Sequence, residues 1–147
     1  MDFDTSVKLN IYEMMARTTR MPTSIDVGLG IGSSMADVEQ AFQRLYEKRL
    51  LALEPGSSSH TRMAPPFSGM ETQHRVKIED KVYFANCAWD AFGIAAALKR
   101  DVDIKSNCPD CGEPLIFHIR TGKPLPQECL IHFAVPVAQW WNDIVYT

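Results

Sequence analysis

The sequence has no large excess of charge of one sign and no long hydrophobic run. Its 147 residues include 15 Lys and Arg against 18 Asp and Glu, which gives a formal net charge of −3. This balance does not indicate the broad basic face that nucleic-acid-binding domains present. No apolar run approaches a membrane span, and the N-terminus lacks the charged-then-apolar pattern of a signal peptide. The sequence therefore predicts a cytoplasmic protein with no membrane partner.

The sequence also lacks a second Cys-x-x-Cys pair. The chain has four cysteines, Cys87, Cys108, Cys111 and Cys129, and only one Cys-x-x-Cys pair. In a chain without an export signal, we expect reduced thiols rather than a disulfide framework. Hydrophobic residues make up 46% of the sequence, which is enough for a packed interior in one domain or in two small lobes sharing a core.

The pattern of the first 63 residues is three helices followed by a hairpin. Apolar residues recur at helical spacing before Arg20, in a short element before closely spaced glycines, and again after Ser33 or Ser34. A polar loop at 54–59 then separates two short apolar segments that would pair as a wing. We therefore predict a winged-helix-like lobe at residues 1–63.

A winged helix raises DNA binding as a function, but the third predicted helix argues against it. Its early turns contain Asp37, Glu39 and Gln40, and its basic residues come late. Helices that read the major groove usually present Arg, Lys, Asn or Gln at their N-terminal end. DNA is therefore the disfavoured partner, and structural support of a neighbouring lobe is the favoured role.

A change of pattern follows residues 64–75, which we predict to be a Pro-rich linker because paired prolines disfavour both helix and central strand. Beyond it, alternating apolar residues predict strands around one helix that runs from Asn86 to about Leu98. The predicted strands lie within 76–84, 102–106, 115–119 and 130–135. The fold class is α+β: a winged-helix-like lobe packed on a small mixed or antiparallel sheet lobe, at 76–147, with one central helix.

The joint between the first of these strands and the helix carries a thiol and a carboxylate. With Asn86 as the predicted N-cap, Cys87 lies in the first helical turn, where backbone N–H groups and the helix dipole favour a thiolate. Asp90 follows three residues later, on the same helix face and within reach of the sulfur. A carboxylate beside a thiolate can move a proton to or from a reacting atom. We predict Cys87 as a nucleophile or soft-metal ligand and Asp90 as a general acid and base.

Cys108 and Cys111 form a Cys-x-x-Cys turn, which is half of a zinc knuckle. A structural zinc site would need two further ligands, for which His118, Cys129 and His132 are candidates. The alternative is a tight turn with two reduced thiols, and the sequence favours it. His132 lies within an apolar run, which predicts a hydrogen-bonded core histidine rather than a ligand.

Three segments occur in an order that is typical of one enzyme family. They are Asn86-Cys87-Ala88-Trp89-Asp90-Ala91, the stretch from Ile104 to Gly112, and the stretch from Ala134 to Ile144. Together they resemble the alkylmercury lyase (organomercurial lyase) family over most of the chain. The resemblance implies protonolysis of a carbon–mercury bond without a required cofactor. In that reaction two thiolates bind mercury, and an aspartate protonates the departing carbon to give a hydrocarbon and Hg(II) as the product ion.

On this mapping Cys87 is the first mercury thiolate and Asp90 is the proton shuttle. The resemblance implies a second cysteine after a stretch like Pro136 to Thr147, so we expect that cysteine beyond Thr147 or absent from this variant. Cys129 does not match its position. Two hypotheses follow. The first is a lyase that acts on a small organometal together with cellular thiols, or a relative that uses Cys87 and Asp90 for a related lyase reaction. The second is a non-catalytic winged-helix sensor or carrier that binds a soft metal or organometal through Cys87.

Overall fold

Three helices form the N-terminal part of the protein, whose computed structural model describes residues 1–145. Each begins at a side chain that accepts a backbone N–H: Asp2 for the first helix, Thr23 for the second and Ser34 for the third. Thr23 also forms a capping box with Asp26. These local caps explain why the helices start where they do. The helices are α1 (Phe3–Thr18), α2 (Ser24–Ile31) and α3 (Met35–Glu47).

The apolar faces of these helices pack against one another. Ile11 of α1, Val27 of α2 and Phe42 of α3 are fully buried in one cluster, which also includes Leu51. Burial of one side chain of this size contributes about 1.5–3 kcal/mol of stability. The three predicted helices are present, while the likeness to a winged helix stays a prediction.

A three-stranded antiparallel sheet follows the helices, in the order β1-β2-β3. Met63 pairs with Ala52 on one side and with Ser68 on the other. Residues 64–75 therefore include the end of β2 and all of β3, and Phe67 is buried. The proposed division at 1–63, 64–75 and 76–147 stays a prediction, and its last two residues, 146 and 147, lie outside the described range. The strands are β1 (Ala52–Leu53), β2 (Thr61–Ala64) and β3 (Phe67–Ser68).

The second sheet is antiparallel and carries the only α-helix of the C-terminal part among residues 1–145, α4 (Ala88–Leu98). Ala91 and Ile94 of α4 are buried in one cluster with Val76 and Ile104 from the sheet. The α+β class with a central helix is therefore confirmed. The strand order is β5-β4-β6-β7-β8. The strands are β4 (Arg75–Ile78), β5 (Lys81–Phe84), β6 (Val102–Asn107), β7 (Pro114–Arg120) and β8 (Lys123–Pro124).

The predicted strand at 130–135 is wrong. Residues 125–136 form neither helix nor strand, Leu130 is 98% exposed, and His132 is exposed rather than in the core. Strand β8 pairs with β7 only through Ile119–Pro124 and Arg120–Lys123, and Pro124 and Pro126 lack the amide N–H groups that a longer edge strand would donate.

Helix α1 also packs on the second sheet. Tyr83 of β5 donates a hydrogen bond from its hydroxyl to the Ala16 carbonyl at 2.7 Å, and Met15 is buried in the same cluster as Phe67 and Val76. The two parts of the chain therefore share a hydrophobic core. This contact brings α1 against the segment that leads into α4.

Candidate functional site

Cys87 is the N-cap of α4. Its backbone is extended, with φ −149°, and its sulfur accepts the Asp90 N–H at 3.4 Å. The prediction of Asn86 as the N-cap is wrong by one residue, because the Asn86 side chain is used elsewhere. Its Nδ2 donates to Asp90 Oδ2 at 3.0 Å and to the Phe67 carbonyl at 3.3 Å. Asn86 thus ties the start of α4 to β3 and holds the Asp90 carboxylate.

The Cys87 thiol is half-buried, and this decides its ionisation. Burial raises the pKa of the Cys87 thiol, and the negative charge of Asp90 raises it further. The N–H groups of Asp90 and Trp89 hydrogen-bond to the sulfur and lower the pKa, as expected for a helix start, but burial is the larger effect. The helix end therefore acts in the expected direction, while the net shift of the Cys87 pKa is upward because of burial. The free thiol holds its proton.

The pKa of the Asp90 carboxyl group is also higher than that of a free carboxyl group. Burial raises the pKa of the Asp90 carboxyl, and the hydrogen bond from Asn86 partly opposes this by lowering it. The Asp90 charge acts on Cys87 and on Tyr12 of α1, so all three side chains lie in one electrostatic neighbourhood. A thiol and a carboxyl that both have raised pKa values can share one proton between them.

Tyr12 of α1 lies near enough to Asp90 for the charge of Asp90 to act on it. Its hydroxyl donates to the Pro65 carbonyl at 2.7 Å, and burial together with the Asp90 charge raises the pKa of Tyr12 to about 12. Tyr12 therefore stays neutral at physiological pH. Nothing in the sequence indicated that Tyr12 lies near Asp90, because that proximity depends on how α1 packs in the folded protein.

An aromatic cluster covers the first turn of α4. Trp89, which is 57% exposed, contacts Phe133 with ring centroids 6.2 Å apart, and Phe133 contacts Trp140 at 5.3 Å. Trp140 belongs to a 3₁₀ helix, Val137–Asn142. The irregular segment after β8 therefore passes over Trp89 in the first turn of α4.

The other predicted thiols lie elsewhere. Cys108 and Cys111 are at the turn between β6 and β7, and Cys129 is exposed on the irregular segment. His118 hydrogen-bonds through Nδ1 to Asp103 at 2.7 Å. Among residues 1–145, no group of three or more His, Cys, Asp or Glu side chains is arranged to hold a metal ion. The structure thus pairs Cys87 with Asp90, and Cys108 with Cys111.

No helix within the described part of the chain is both long and apolar enough to cross a membrane.

Comparison with known families gives a match: a family model described as alkylmercury lyase matches residues 67–147, more than half of the chain. No curated protein sequence matches. Among solved structures, the mercury-bound form of MerB2 is similar, with a TM-score of 0.60 and 22% identity. The match covers 83% of this chain and 66% of that chain, and at this identity it shows a shared fold.

Proposed function

The chain belongs to the alkylmercury lyase family, and from this premise we propose that it cleaves carbon–mercury bonds by protonolysis, with Cys87 binding the mercury and Asp90 moving the proton. The observation that carries the proposal is the half-buried pair at the start of α4. Its thiol and its carboxyl both have raised pKa values, and Asn86 holds the carboxylate at 3.0 Å. Thiolate is the ligand type that soft metals prefer.

In the first step the thiol exchanges its proton for mercury. A substrate of the form R–Hg–SR′ approaches Cys87, and Asp90 in its ionised form accepts the thiol proton. The sulfur of Cys87 then bonds to mercury, and the thiolate R′S⁻ leaves. Mercury binding requires a deprotonated sulfur, and an adjacent base with a raised pKa provides for this without a free thiolate in the resting protein.

In the second step the same proton moves to carbon. Protonated Asp90 donates its proton to the carbon bound to mercury, and the electron pair of the C–Hg bond forms the new C–H bond. The hydrocarbon R–H leaves and Asp90 is again ionised, while mercury stays on the Cys87 sulfur and a free thiolate R′S⁻ takes the place of the second thiolate that the family resemblance implies. The raised pKa of Asp90 matters here, because an ordinary carboxyl group near neutral pH would release its proton to water before carbon could take it.

Free thiol completes the cycle. R′S⁻ binds the mercury on Cys87, and a second R′SH protonates the Cys87 sulfur and releases Hg(SR′)₂. The sum is R–Hg–SR′ plus R′SH giving R–H plus Hg(SR′)₂, so cellular thiols are partners in the reaction. A reducing cytoplasm would supply them and would keep Cys87 reduced.

The direct test is incubation of the protein with a phenylmercury salt and excess free thiol, followed by measurement of benzene by gas chromatography. We expect more than one benzene per chain, because free thiol regenerates Cys87. Stoichiometric mercury binding with no benzene would overturn the lyase proposal in favour of a non-catalytic carrier of the organometal.

Asn86 is a positioning residue with its own expected signature. Its hydrogen bond lowers the pKa of Asp90, so Asn86→Ala should raise that pKa further. Since Asp90 must be ionised to accept the Cys87 proton, the acid limb of the pH–rate profile should move to higher pH. The measurement is benzene release against pH for both proteins.

Gln40→Ala, on the exposed surface of α3, is the matched control and should leave the profile unchanged. A uniform fall in the rate of Asn86→Ala, with the acid limb in place, would contradict the role given to Asn86.

A further inference from the structure

The Cys-x-x-Cys turn is a built feature that the proposed reaction does not use. Cys108 and Cys111 lie in the hairpin between β6 and β7, where Asn107 pairs with Pro114. Two backbone hydrogen bonds close the turn: Cys108 N–H to the Glu113 carbonyl at 2.9 Å, and Gly112 N–H to the Cys108 carbonyl at 2.8 Å. Gly112 has φ +73°, a conformation that glycine adopts without strain.

This turn places Cys108 and Cys111 on one closed reversal of the chain. Hydrogen bonds from the backbone of Cys111 and Asp110 and from the Cys111 side chain lower the pKa of the Cys108 thiol. Cys108 is half-buried and Cys111 is exposed, so the pair is open to solvent on one side. Two adjacent thiols on a closed hairpin turn are a preformed ligand pair, because little chain entropy is lost when they bind one ion.

The number of ligands favours a soft ion of low coordination number. Two thiolates complete the linear coordination of Hg(II), whereas structural Zn²⁺ takes four ligands. His118, a candidate for a third ligand from the sequence, is opposite Asp103, four residues along β7 from the start of that strand. That spacing is roughly 13 Å of strand. His118 is hydrogen-bonded there to Asp103.

The strand order places this turn at the same end of the sheet as Cys87, which is the end where β5 and β6 finish. Arg75 of β4 pairs with Phe84 of β5 on one side and with Lys105 of β6 on the other. Strands β5 and β6 therefore run in the same direction and finish at the same end of the sheet. Cys87 follows three residues after Phe84, and Cys108 follows three residues after Lys105. Only β4 lies between them, so the two strands are roughly 10 Å apart.

We propose that Cys108 and Cys111 form a second, two-thiolate site that binds Hg(II) at the end of the sheet where Cys87 also lies. The dithiol holds the ion by two Hg–S bonds, and both thiol protons pass to water or buffer. The identity of the ion as product mercury rests on the proposed function, while the dithiol site itself does not. Its position would allow it to take Hg(II) from Cys87 once the carbon group has left.

The test uses a full-length chain with Cys87→Ser and Cys129→Ser, so that Cys108 and Cys111 are its only cysteines. Mercury(II) chloride is added in the presence of excess monothiol, the protein is desalted, and retained mercury is measured by mass spectrometry together with the ultraviolet sulfur-to-mercury absorption. We expect one mercury per chain. The same chain with Cys111→Ser added, a change at an exposed position, should retain none.

Two results would overturn the site: no mercury retained by the folded chain that keeps Cys108 and Cys111, or one zinc per purified chain that disappears in the Cys111→Ser variant. Because Cys87 is absent from every protein in this test, failure of the dithiol site and failure of the lyase reaction are observed separately. Circular dichroism establishes that each variant is folded.

Discussion

Replacing Cys87 with serine is expected to abolish hydrocarbon release from phenylmercury, with a fall in rate of at least ~10³-fold, the scale seen when a nucleophile is removed. A serine hydroxyl is a hard oxygen ligand that does not lose its proton near neutral pH and binds mercury poorly. Serine is also a favoured N-cap, so it can accept the Asp90 N–H that the Cys87 sulfur now accepts at 3.4 Å. The fold should therefore be preserved, and thermal unfolding will check this.

Cys129→Ser is the matched control for that experiment, since Cys129 is exposed on the irregular segment outside the α4 site. It should leave benzene release unchanged. If Cys129→Ser removed activity while Cys87→Ser retained it, the mercury ligand would be Cys129 and the mechanism given above would be wrong.

Replacing Asp90 with asparagine is expected to separate mercury binding from bond cleavage. Without a proton carrier, benzene release should fall by ~10²–10⁴-fold, the usual contribution of general acid–base catalysis. Cys87 should still bind phenylmercury, because its sulfur remains, although the loss of the base should slow binding near neutral pH. The measurements are benzene by gas chromatography and retained mercury after desalting. Full activity in Asp90→Asn would eliminate Asp90 as the proton shuttle.

Asp90→Asn is expected to lower activity but to increase the stability of the fold. Because the pKa of Asp90 is raised in the folded state, its contribution to stability is present below the unfolded-state pKa of ~3.9 and is lost as pH rises through the folded-state pKa. Near pH 7 the half-buried charge is therefore a cost, and Asp90→Asn should raise the free energy of unfolding by on the order of 1 kcal/mol.

Urea unfolding at pH 7 and at pH 3.5 will check this. The gain should be seen at the higher pH and should disappear at the lower one, where wild-type Asp90 is also neutral. Asp80→Asn, in the exposed turn between β4 and β5, is the control and should give no such pH-dependent gain. A loss of stability in Asp90→Asn at pH 7 would show that the ionised carboxylate is favourable in this pocket.

Local pattern was sufficient for much of this protein. The helices α1 to α4 follow from apolar spacing and from caps such as Thr23 and Ser34, whose hydrogen bonds join residues three positions apart. The approach of Asp90 to Cys87 is of the same kind, because it spans less than one helical turn. Alternation likewise predicts β6 and β7, whose buried residues fall on every second position in β6.

Other features depended on contacts between distant parts of the chain. The run at 130–135 is as apolar as a buried strand, yet it stays irregular, because a strand needs a partner strand and none of the strands within residues 1–145 pairs with it. The second role of Asn86 is of this type as well: its side chain reaches the Phe67 carbonyl, 19 residues away, instead of capping its own helix.

The sequence by itself determined that a thiol and a carboxylate meet at the start of a helix, because that depends only on residues within one turn. The tertiary structure decided that the thiol keeps its proton, since burial raises its pKa by more than the helix end lowers it. The tertiary structure also decided that Cys108 and Cys111 lie at the same end of the sheet as Cys87. That neighbourhood follows from β4 pairing with both β5 and β6, and no pattern within a single segment records which strands become neighbours.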